Sequence, residues 1–280
     1  MRAEIDRAIA ADEVDDLARA LAGERPASIR FAARRLVETV SRDGALLERA
    51  TDLVRRPEAA ARQLASILCV HAYAEAPDET LTLLVRLVDD RDPSVRDVAS
   101  DASGELLDTQ FAGAAARMAS WREAPSPHVR RAFLVAVAAA AHRERVERAD
   151  PLLRLVTPLL GDRDPLVRRS VGPSAVAALL QHYPGLAFEH LVQWSTSSDE
   201  QVLWNVAMAF TSPAAAEIAK KALIVLRKLS LDERRYVWRA VAAAMWKLGR
   251  KRPDVVRPEL ARWLEDEDRV DVARAALTYL

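Results

Sequence analysis

The sequence of 280 residues is poor in glycine, cysteine and aromatic residues. It contains eight glycines and one cysteine, and aromatic side chains make up 5% of it. A lone cysteine excludes a disulfide within the chain, and we expect Cys69 to be an inert thiol in the core. No glycine-rich phosphate loop or serine-nucleophile motif occurs, and the five histidines lack the spacing of metal ligands. We therefore expect no cofactor and no metal site.

Long hydrophobic runs are also missing. The longest uncharged apolar stretch covers residues 132–141, whereas a membrane-spanning helix needs about 20 residues. The opening residues lack the apolar core of a signal peptide. We therefore expect a cytoplasmic protein with no membrane contact.

An excess of charge of either sign is absent as well. The sequence has 41 basic and 41 acidic residues, so its formal net charge is +0. This balance removes the simplest argument for nucleic-acid binding, and it favours a protein partner. The distribution of charge along the chain is more informative than its sum.

The chain does contain a phrase that returns about every 35 residues, in which a turn residue and often a proline precede an apolar residue and an arginine. We call the apolar residue the anchor. The anchors, including weaker copies of the phrase, are Ile29, Ala61, Val95, Val129, Val167, Val202, Val237 and Val272. A period of this length is typical of stacked helical pairs. It predicts an all-α fold, a HEAT-like-repeat α-solenoid of about eight helical pairs, with residues 1–280 in a single domain.

Each phrase carries the signals of a helix start. A residue that can cap a helix stands three positions before four of the anchors, and a proline follows the first three of these residues. The caps are Asp92, Ser126, Asp164 and Asp199. Apolar residues then recur with helical spacing, and the half-repeat before each anchor is amphipathic too. Each unit therefore consists of helix A, a turn and helix B, and the anchors should be buried in register.

The second residue after each anchor lies about 200° around helix B from the buried face. In solenoids of this kind the B helices line the concave surface. This column reads Phe31, Gln63, Asp97, Arg131, Arg169, Trp204, Arg239 and Arg274. Its arginines could follow a phosphate backbone, and Trp204 and Trp246 could stack on a base. A solvated or internally paired face, or an interface with a protein, is the alternative.

Other repeated residues have simpler explanations. The arginines directly after the anchors should bond acids in neighbouring turns. Trp121, Trp194 and Trp263 recur at the end of helix A and should pack between repeats. Gly172 and Pro173 interrupt one B helix, where they either open the groove locally or accommodate a packing defect.

Asp97 and Asp101 have the best catalytic prospects among the acids. They are four residues apart, so they share one face of a B helix, and Arg131 stands in the next unit. A carboxylate beside a basic track could stabilise a cationic intermediate. A local ion pair with Arg131 is the alternative.

Two phrases carry a resemblance to a known family. Val95-Arg-Asp-Val-Ala-Ser-Asp101, and Val167-Arg-Arg-Ser-Val171 with Pro184 and Trp194, resemble the HEAT-like-repeat DNA glycosylases of bacterial alkylation repair. The resemblance implies a basic groove that holds duplex DNA by its backbone, and an acid that assists loss of a cationic N-alkylated purine. Asp97, Trp121 and Arg131 match the family's catalytic acid, helix-end tryptophan and phosphate-contacting arginine, and Asp101 matches the acid of another branch. Pro93 and Gly172-Pro173 replace family tryptophans.

These observations lead to one functional hypothesis and a rival. The first is a DNA-binding protein of alkylation repair, with Asp97 and Asp101 as catalytic candidates. Its DNA-binding candidates are Arg131, Arg169, Trp204, Arg239, Trp246 and Arg274. The rival is a non-enzymatic HEAT-repeat scaffold that binds a protein partner in the concave groove. Nothing in the sequence indicates the oligomeric state.

Overall fold

The computed structural model describes residues 2–39 and 44–278, and within these ranges the regular structure is helical throughout. The chain divides into two compact units, Met1–Ala140 and Ala141–Leu280. The predicted HEAT-like helical repeat is confirmed. That all 280 residues act as a single domain stays a prediction.

The first unit is a succession of antiparallel helices. Its α-helices are α1 (Arg2–Ala10), α2 (Val14–Leu21), α3 (Pro26–Thr39), α4 (Ala45–Val54), α5 (Ala59–Ala72), α6 (Pro77–Val88), α7 (Pro93–Thr109), α8 (Phe111–Met118) and α9 (Pro127–Ala139). A 3-10 turn, Ala119–Glu123, extends α8. Helices α3, α5, α7 and α9 are the B helices, because they contain the first four anchors.

The second unit continues the pattern with more irregular helices. Its α-helices are α10 (Ala149–Val156), α11 (Pro165–Ser170), α12 (Ala177–His182), α13 (Pro184–Trp194), α14 (Glu200–Ala209), α15 (Ala219–Leu229), α16 (Arg235–Lys251), α17 (Pro253–Leu264) and α18 (Val270–Leu277). Short 3-10 turns cover Val146–Arg148, Thr157–Gly161 and Pro213–Ala216. The B helices are α11, α14, α16 and α18, which brings the described pairs to the expected eight.

Four B helices begin as their capping residues predict. The Asp92 carboxylate accepts a hydrogen bond from the Ser94 backbone N–H at 2.8 Å. Equivalent bonds form at the three other caps, Ser126, Asp164 and Asp199. Each satisfies a backbone donor that the first helical turn leaves without a partner. The pKa of Asp92 is lowered chiefly by its hydrogen bond from the Ser94 hydroxyl.

The anchors are buried, with one exception. Val95, Val167 and Val237 are fully enclosed, and Ile29, Ala61, Val129 and Val272 are buried as well. Val202 is only partly buried, so the prediction of in-register burial is wrong there. Helix α14 is enclosed over most of its circumference. Its polar residues Gln201 and Asn205 face neighbouring repeats, which leaves Val202 at the edge.

The expected break at Gly172 and Pro173 is present. Helix α11 passes at Val171 into a π-helical segment, Val171–Val176, before α12 begins. The backbone N–H of Gly172 donates to Asn205 Oδ1 at 3.0 Å, and the Asn205 amide donates to the Leu160 carbonyl at 2.8 Å. A Cβ at position 172 would lie 2.3 Å from the Asn205 carbonyl oxygen. The break therefore lets α14 pack closely against the π-helical segment.

Candidate nucleic-acid interface

The candidate catalytic acid Asp97 and the candidate phosphate contact Arg131 lie next to each other in the first unit. Asp97 on α7 lies opposite Arg131 on α9, with 3.6 Å between Oδ1 and Nη1. The Asp97 side chain is 68% exposed and that of Arg131 is 31% exposed. The local ion pair anticipated as an alternative is thus present. An exposed pair of this kind contributes only about 0.2–1 kcal/mol, so a bound ligand can replace either partner.

Asp101 lies one turn further along α7, at a cavity of about 260 Å³ between α3, α5 and α7. The cavity is lined by Pro26, Ile29, Arg30, Gln63, Ile67, Val98, Asp101, Ala102 and Glu105. Partial desolvation raises the pKa of Asp101, and the nearby charge of Asp97 raises it further, while Arg131 and Arg30 oppose the shift. Two carboxylates so close together are stabilised by a cation between them. The two carboxylates therefore attract a positively charged group, in competition with Arg131 and Arg30.

Most of the arginines that follow the anchors support the turns between helices. Arg62 is buried, and its Nε and Nη2 atoms lie 2.8 and 3.1 Å from the Asp90 carboxylate. Arg96 donates to the Asp90 carbonyl at 2.7 Å, and Arg130 donates to the Ala124 carbonyl at 2.7 Å. The structural role predicted for this position is confirmed for these three residues. Arg96 and Arg130 do so through carbonyls of their own turn, whereas Arg62 bonds an acid as expected.

Arg168 occupies the same position but has different contacts. Its guanidinium carbon lies 5.9 Å from the centre of the Tyr236 ring, and its Nη1 lies 3.4 Å from the Tyr236 hydroxyl. Tyr236 in turn stacks on Trp204, with centroids 5.6 Å apart and planes inclined by 10°. The Tyr236 hydroxyl donates to Gln201 Oε1 at 2.8 Å. Trp204 is therefore held in a stack, and it is only partly exposed.

Helix α16 has the largest net charge among the described helices. It contains five basic residues and no acidic residue, namely Arg235, Arg239, Lys247, Arg250 and Lys251. All five are exposed, and none has an ion pair within 4.0 Å in the described part of the chain. Arg239 and Trp246 line one cavity of about 510 Å³ with Ala242, Ala243, Ala275 and Thr278. The Lys247 ammonium lies 4.4 Å from the centre of the Trp246 ring. These features suit an anionic ligand with aromatic groups.

The comparisons with known proteins agree with the resemblance carried by the two phrases. The model of a family described as DNA alkylation repair enzyme matches residues 18–174. The chain belongs to this family. The matched segment contains Asp97, Asp101, Arg131 and Arg169, and it ends before α14 and α16 begin.

Solved structures show the same fold. The protein smu.31 from Streptococcus mutans UA159 is 20% identical, with a TM-score of 0.57 over 71% of this chain and 96% of that chain. AlkD2 from Streptococcus mutans is 18% identical, with a TM-score of 0.57 over 73% and 97% of the two chains. A mutant of Kap121p is 14% identical, with a TM-score of 0.55 over 99% of this chain and 33% of that one. No curated protein matches the chain.

The remaining predicted residues divide between core and surface. Trp121, Trp194 and Trp263 are buried at the ends of the A helices, which confirms them as packing residues. Cys69 is fully buried, and burial raises the pKa of its thiol to about 12. Arg169 and Arg274 are exposed and have no ion pair within the described ranges. Arg131 belongs to the first unit and the other DNA-binding candidates to the second, so a surface shared by all of them stays a prediction.

Sequence reasoning missed Tyr236 and the charge of α16 as a whole. Tyr236 stands directly before its anchor, outside the column two residues after the anchors that the repeat singles out. The repeat column drew attention to one residue per helix, whereas α16 exposes basic residues around much of its surface. Residues 2–39 and 44–278 include no cluster of side chains suited to a metal ion. None of the helices in these ranges is long and apolar enough to cross a bilayer.

Proposed function

We propose that the protein binds duplex DNA by its backbone and removes N-alkylated purines whose base carries a positive charge. Asp97 is the acid that assists the reaction. The observation that carries this proposal is the exposed Asp97 beside Arg131, with Asp101 one turn away, inside the segment that matches the family.

Cleavage of the glycosidic bond of a cationic purine requires mainly a carboxylate placed near the sugar. When the bond between C1′ and the purine nitrogen breaks, its electron pair goes to the cationic base, which leaves as a neutral molecule. Positive charge then develops on the sugar, and a fixed carboxylate stabilises it. Water adds to C1′ and releases a proton. No general acid is required, because the base is already charged.

Arg131 suits the role of a phosphate contact that also controls Asp97. The two side chains pair across 3.6 Å. An arginine binds phosphate through two parallel hydrogen bonds, which are stronger than a solvated ion pair. Engagement of Arg131 by a phosphate would leave the Asp97 carboxylate for the deoxyribose.

The second unit supplies further groups for the backbone. Arg169 and Arg274 are exposed, and α16 adds Trp246 and five exposed cations that form no ion pair within the described ranges. Each phosphate neutralised releases counterions, so binding should depend steeply on salt. Trp246 adds an aromatic surface for a base or a sugar. Trp204 is a weaker candidate, since its ring already stacks on Tyr236.

The test of this proposal is release of methylated purines from alkylated duplex DNA. Asp97→Asn should lower the rate by about a hundredfold, while its affinity for DNA stays equal or rises because a negative charge is lost. Glu79→Gln, on the exposed side of helix α6, is the matched control and should behave like the parent. Asp97→Asn with the parent rate would remove Asp97 from the mechanism.

The same assay separates Asp101 from Asp97. Because the pKa of Asp101 is raised, a reaction that needs its ionised form slows as the pH falls through that raised value. Asp101→Asn should abolish this fall in rate at low pH if Asp101 takes part in the reaction. No release by the parent protein would exclude the glycosylase. If the parent also fails to retain DNA at low salt, the scaffold hypothesis replaces the proposal.

A further inference from the structure

We propose that a second site in the first unit binds a phosphate group of the DNA backbone. The site is an open cleft lined by Arg2, Arg30, Arg34 and His71, which we call the N-terminal cleft. The inference rests on the proposed DNA binding, and it adds residues that neither the repeat column nor the family resemblance singles out.

Three helices form the N-terminal cleft. Arg2 begins α1, Arg30 and Arg34 lie one turn apart on α3, and His71 stands near the end of α5. Ala27, Ala33 and Ile67 complete the lining around a volume of about 450 Å³. Small apolar side chains let a ligand approach closely, and they lower the local dielectric constant, which strengthens the attraction of the cations for an anion.

The two arginines that α3 contributes to the cleft are not neutralised by a direct ion pair, although Arg30 also acts on the charge of Asp101. Helix α3 carries three arginines, of which Arg35 pairs with Asp6 at 2.9 Å and Glu38 at 2.8 Å. Arg30 and Arg34 are exposed and have no ion pair within 4.0 Å in residues 2–39 and 44–278. Like charges one helical turn apart repel each other. The fold thus retains an unfavourable arrangement, which a bound anion would relieve.

One contact and one missing hydrogen bond indicate that this arrangement is built into the fold. The guanidinium carbon of Arg2 lies 5.1 Å from the centre of the Phe31 ring, a cation–π contact that holds Arg2 against α3. Arg30 does not bond the carbonyls of its turn as Arg96 and Arg130 do. It takes the position at which other repeats place a structural arginine, and it lines the cleft instead.

The position of the cleft favours nucleic acid as the source of the phosphate. Arg30 and Ile67 line both the N-terminal cleft and the cavity that contains Asp101. A backbone whose phosphate is bound by Arg30 and Arg34 therefore continues beside the candidate catalytic acids. Arginine is suited to this contact, because its planar fork matches phosphate oxygens.

The experiment measures the affinity of a fluorescent 20-base-pair duplex between about 50 and about 200 mM salt. The variants are Arg30→Ala/Arg34→Ala and a control, Arg86→Ala/Arg91→Ala, which removes two exposed arginines outside the cleft. Each lost phosphate contact lowers the slope of log affinity against log salt by about 0.9. Because Arg30 and Arg34 bind one phosphate, the cleft variant should lose about 0.9 from the slope, and the control should keep the parent slope.

The outcomes separate this inference from the proposed function. If the parent shows the salt dependence and the cleft variant keeps its slope, the N-terminal cleft does not bind phosphate, and the proposed function stands. If the parent shows no salt dependence, DNA binding itself fails. A third variant, Arg30→Lys/Arg34→Lys, keeps both charges and should restore the parent slope. A slope that stays low in the lysine variant would show that the loss does not follow the two positive charges, and would overturn the inference.

Discussion

The substitution Gly172→Ala tests the packing that breaks helix B of the fifth repeat. The added Cβ would lie 2.3 Å from the Asn205 carbonyl oxygen and 3.0 Å from the Asn205 Cα and carbonyl carbon. All three atoms belong to backbone, so no side chain can rotate out of the way. The π-helical segment and α14 must therefore move apart.

The expected loss of stability has two parts. Overpacking of a rigid site costs about 1–3 kcal/mol, and here the upper end applies because backbone is displaced. Separation of the two elements also breaks the buried hydrogen bond between the Gly172 N–H and Asn205 Oδ1, at a cost of about 1–3 kcal/mol. The total of about 4–6 kcal/mol lowers the melting temperature by roughly 8–24 °C.

Two other glycines provide controls for thermal unfolding followed by circular dichroism. Around Gly185 nothing lies within 4 Å of an added Cβ, so Gly185→Ala in helix α13 should gain about 0.4–1 kcal/mol. Gly104→Ala would meet the Cβ of Ala139 at 2.8 Å and, at an ordinary contact distance of 3.9 Å, the Cα of Ala136, so it should fall between the parent and Gly172→Ala. The reasoning is wrong if Gly172→Ala melts at or above the temperature of the parent.

Two further predictions concern the second unit. The buried Glu259 has a lowered pKa, chiefly because Arg227 donates to its carboxylate at 2.5 and 2.8 Å. This ionised pair stabilises the fold above the ordinary Glu pKa, and the stabilisation is lost as the pH falls through the lowered value. Glu259→Gln should therefore reduce the dependence of stability on pH in the acid range, and an unchanged dependence would assign the acid sensitivity to other groups. On α16, Arg239→Ala/Arg250→Ala should reduce the slope of log affinity for DNA against log salt by about 1.8, since two phosphate contacts are lost. Trp246→Ala should weaken DNA binding without changing this slope, because indole carries no charge. Parent-like affinity of Trp246→Ala would exclude a stacking contact.

The repeat and the starts of the helices could be predicted because their causes are local. A capping side chain such as Asp92 satisfies a backbone N–H two residues away, and the period of the anchors reflects one buried face per helix. The burial of Trp121 followed from the same regularity. These features need no knowledge of which surfaces meet.

Features that depend on contacts between repeats could not be predicted in this way. Val202 has the correct spacing from its cap, yet polar contacts of Gln201 and Asn205 with neighbouring repeats decide how α14 is buried. The contact between Arg168 and Tyr236 joins residues 68 positions apart. The N-terminal cleft was missed for the same reason, because it lies across three helices while the repeat column follows a single face of helix B.

The neutral total charge of the chain also needs interpretation at the level of single helices. Helix α7 contains one basic residue and four acidic ones, while α16 contains five basic residues and no acid. A protein that binds an anionic backbone and acts on a cationic base needs surfaces of both signs. A uniformly basic surface would hold undamaged DNA more tightly, and it would disfavour the charged lesion at the catalytic acids. Equal numbers of acids and bases, segregated by helix, are therefore consistent with the proposed chemistry, although the same balance at first favoured a protein partner.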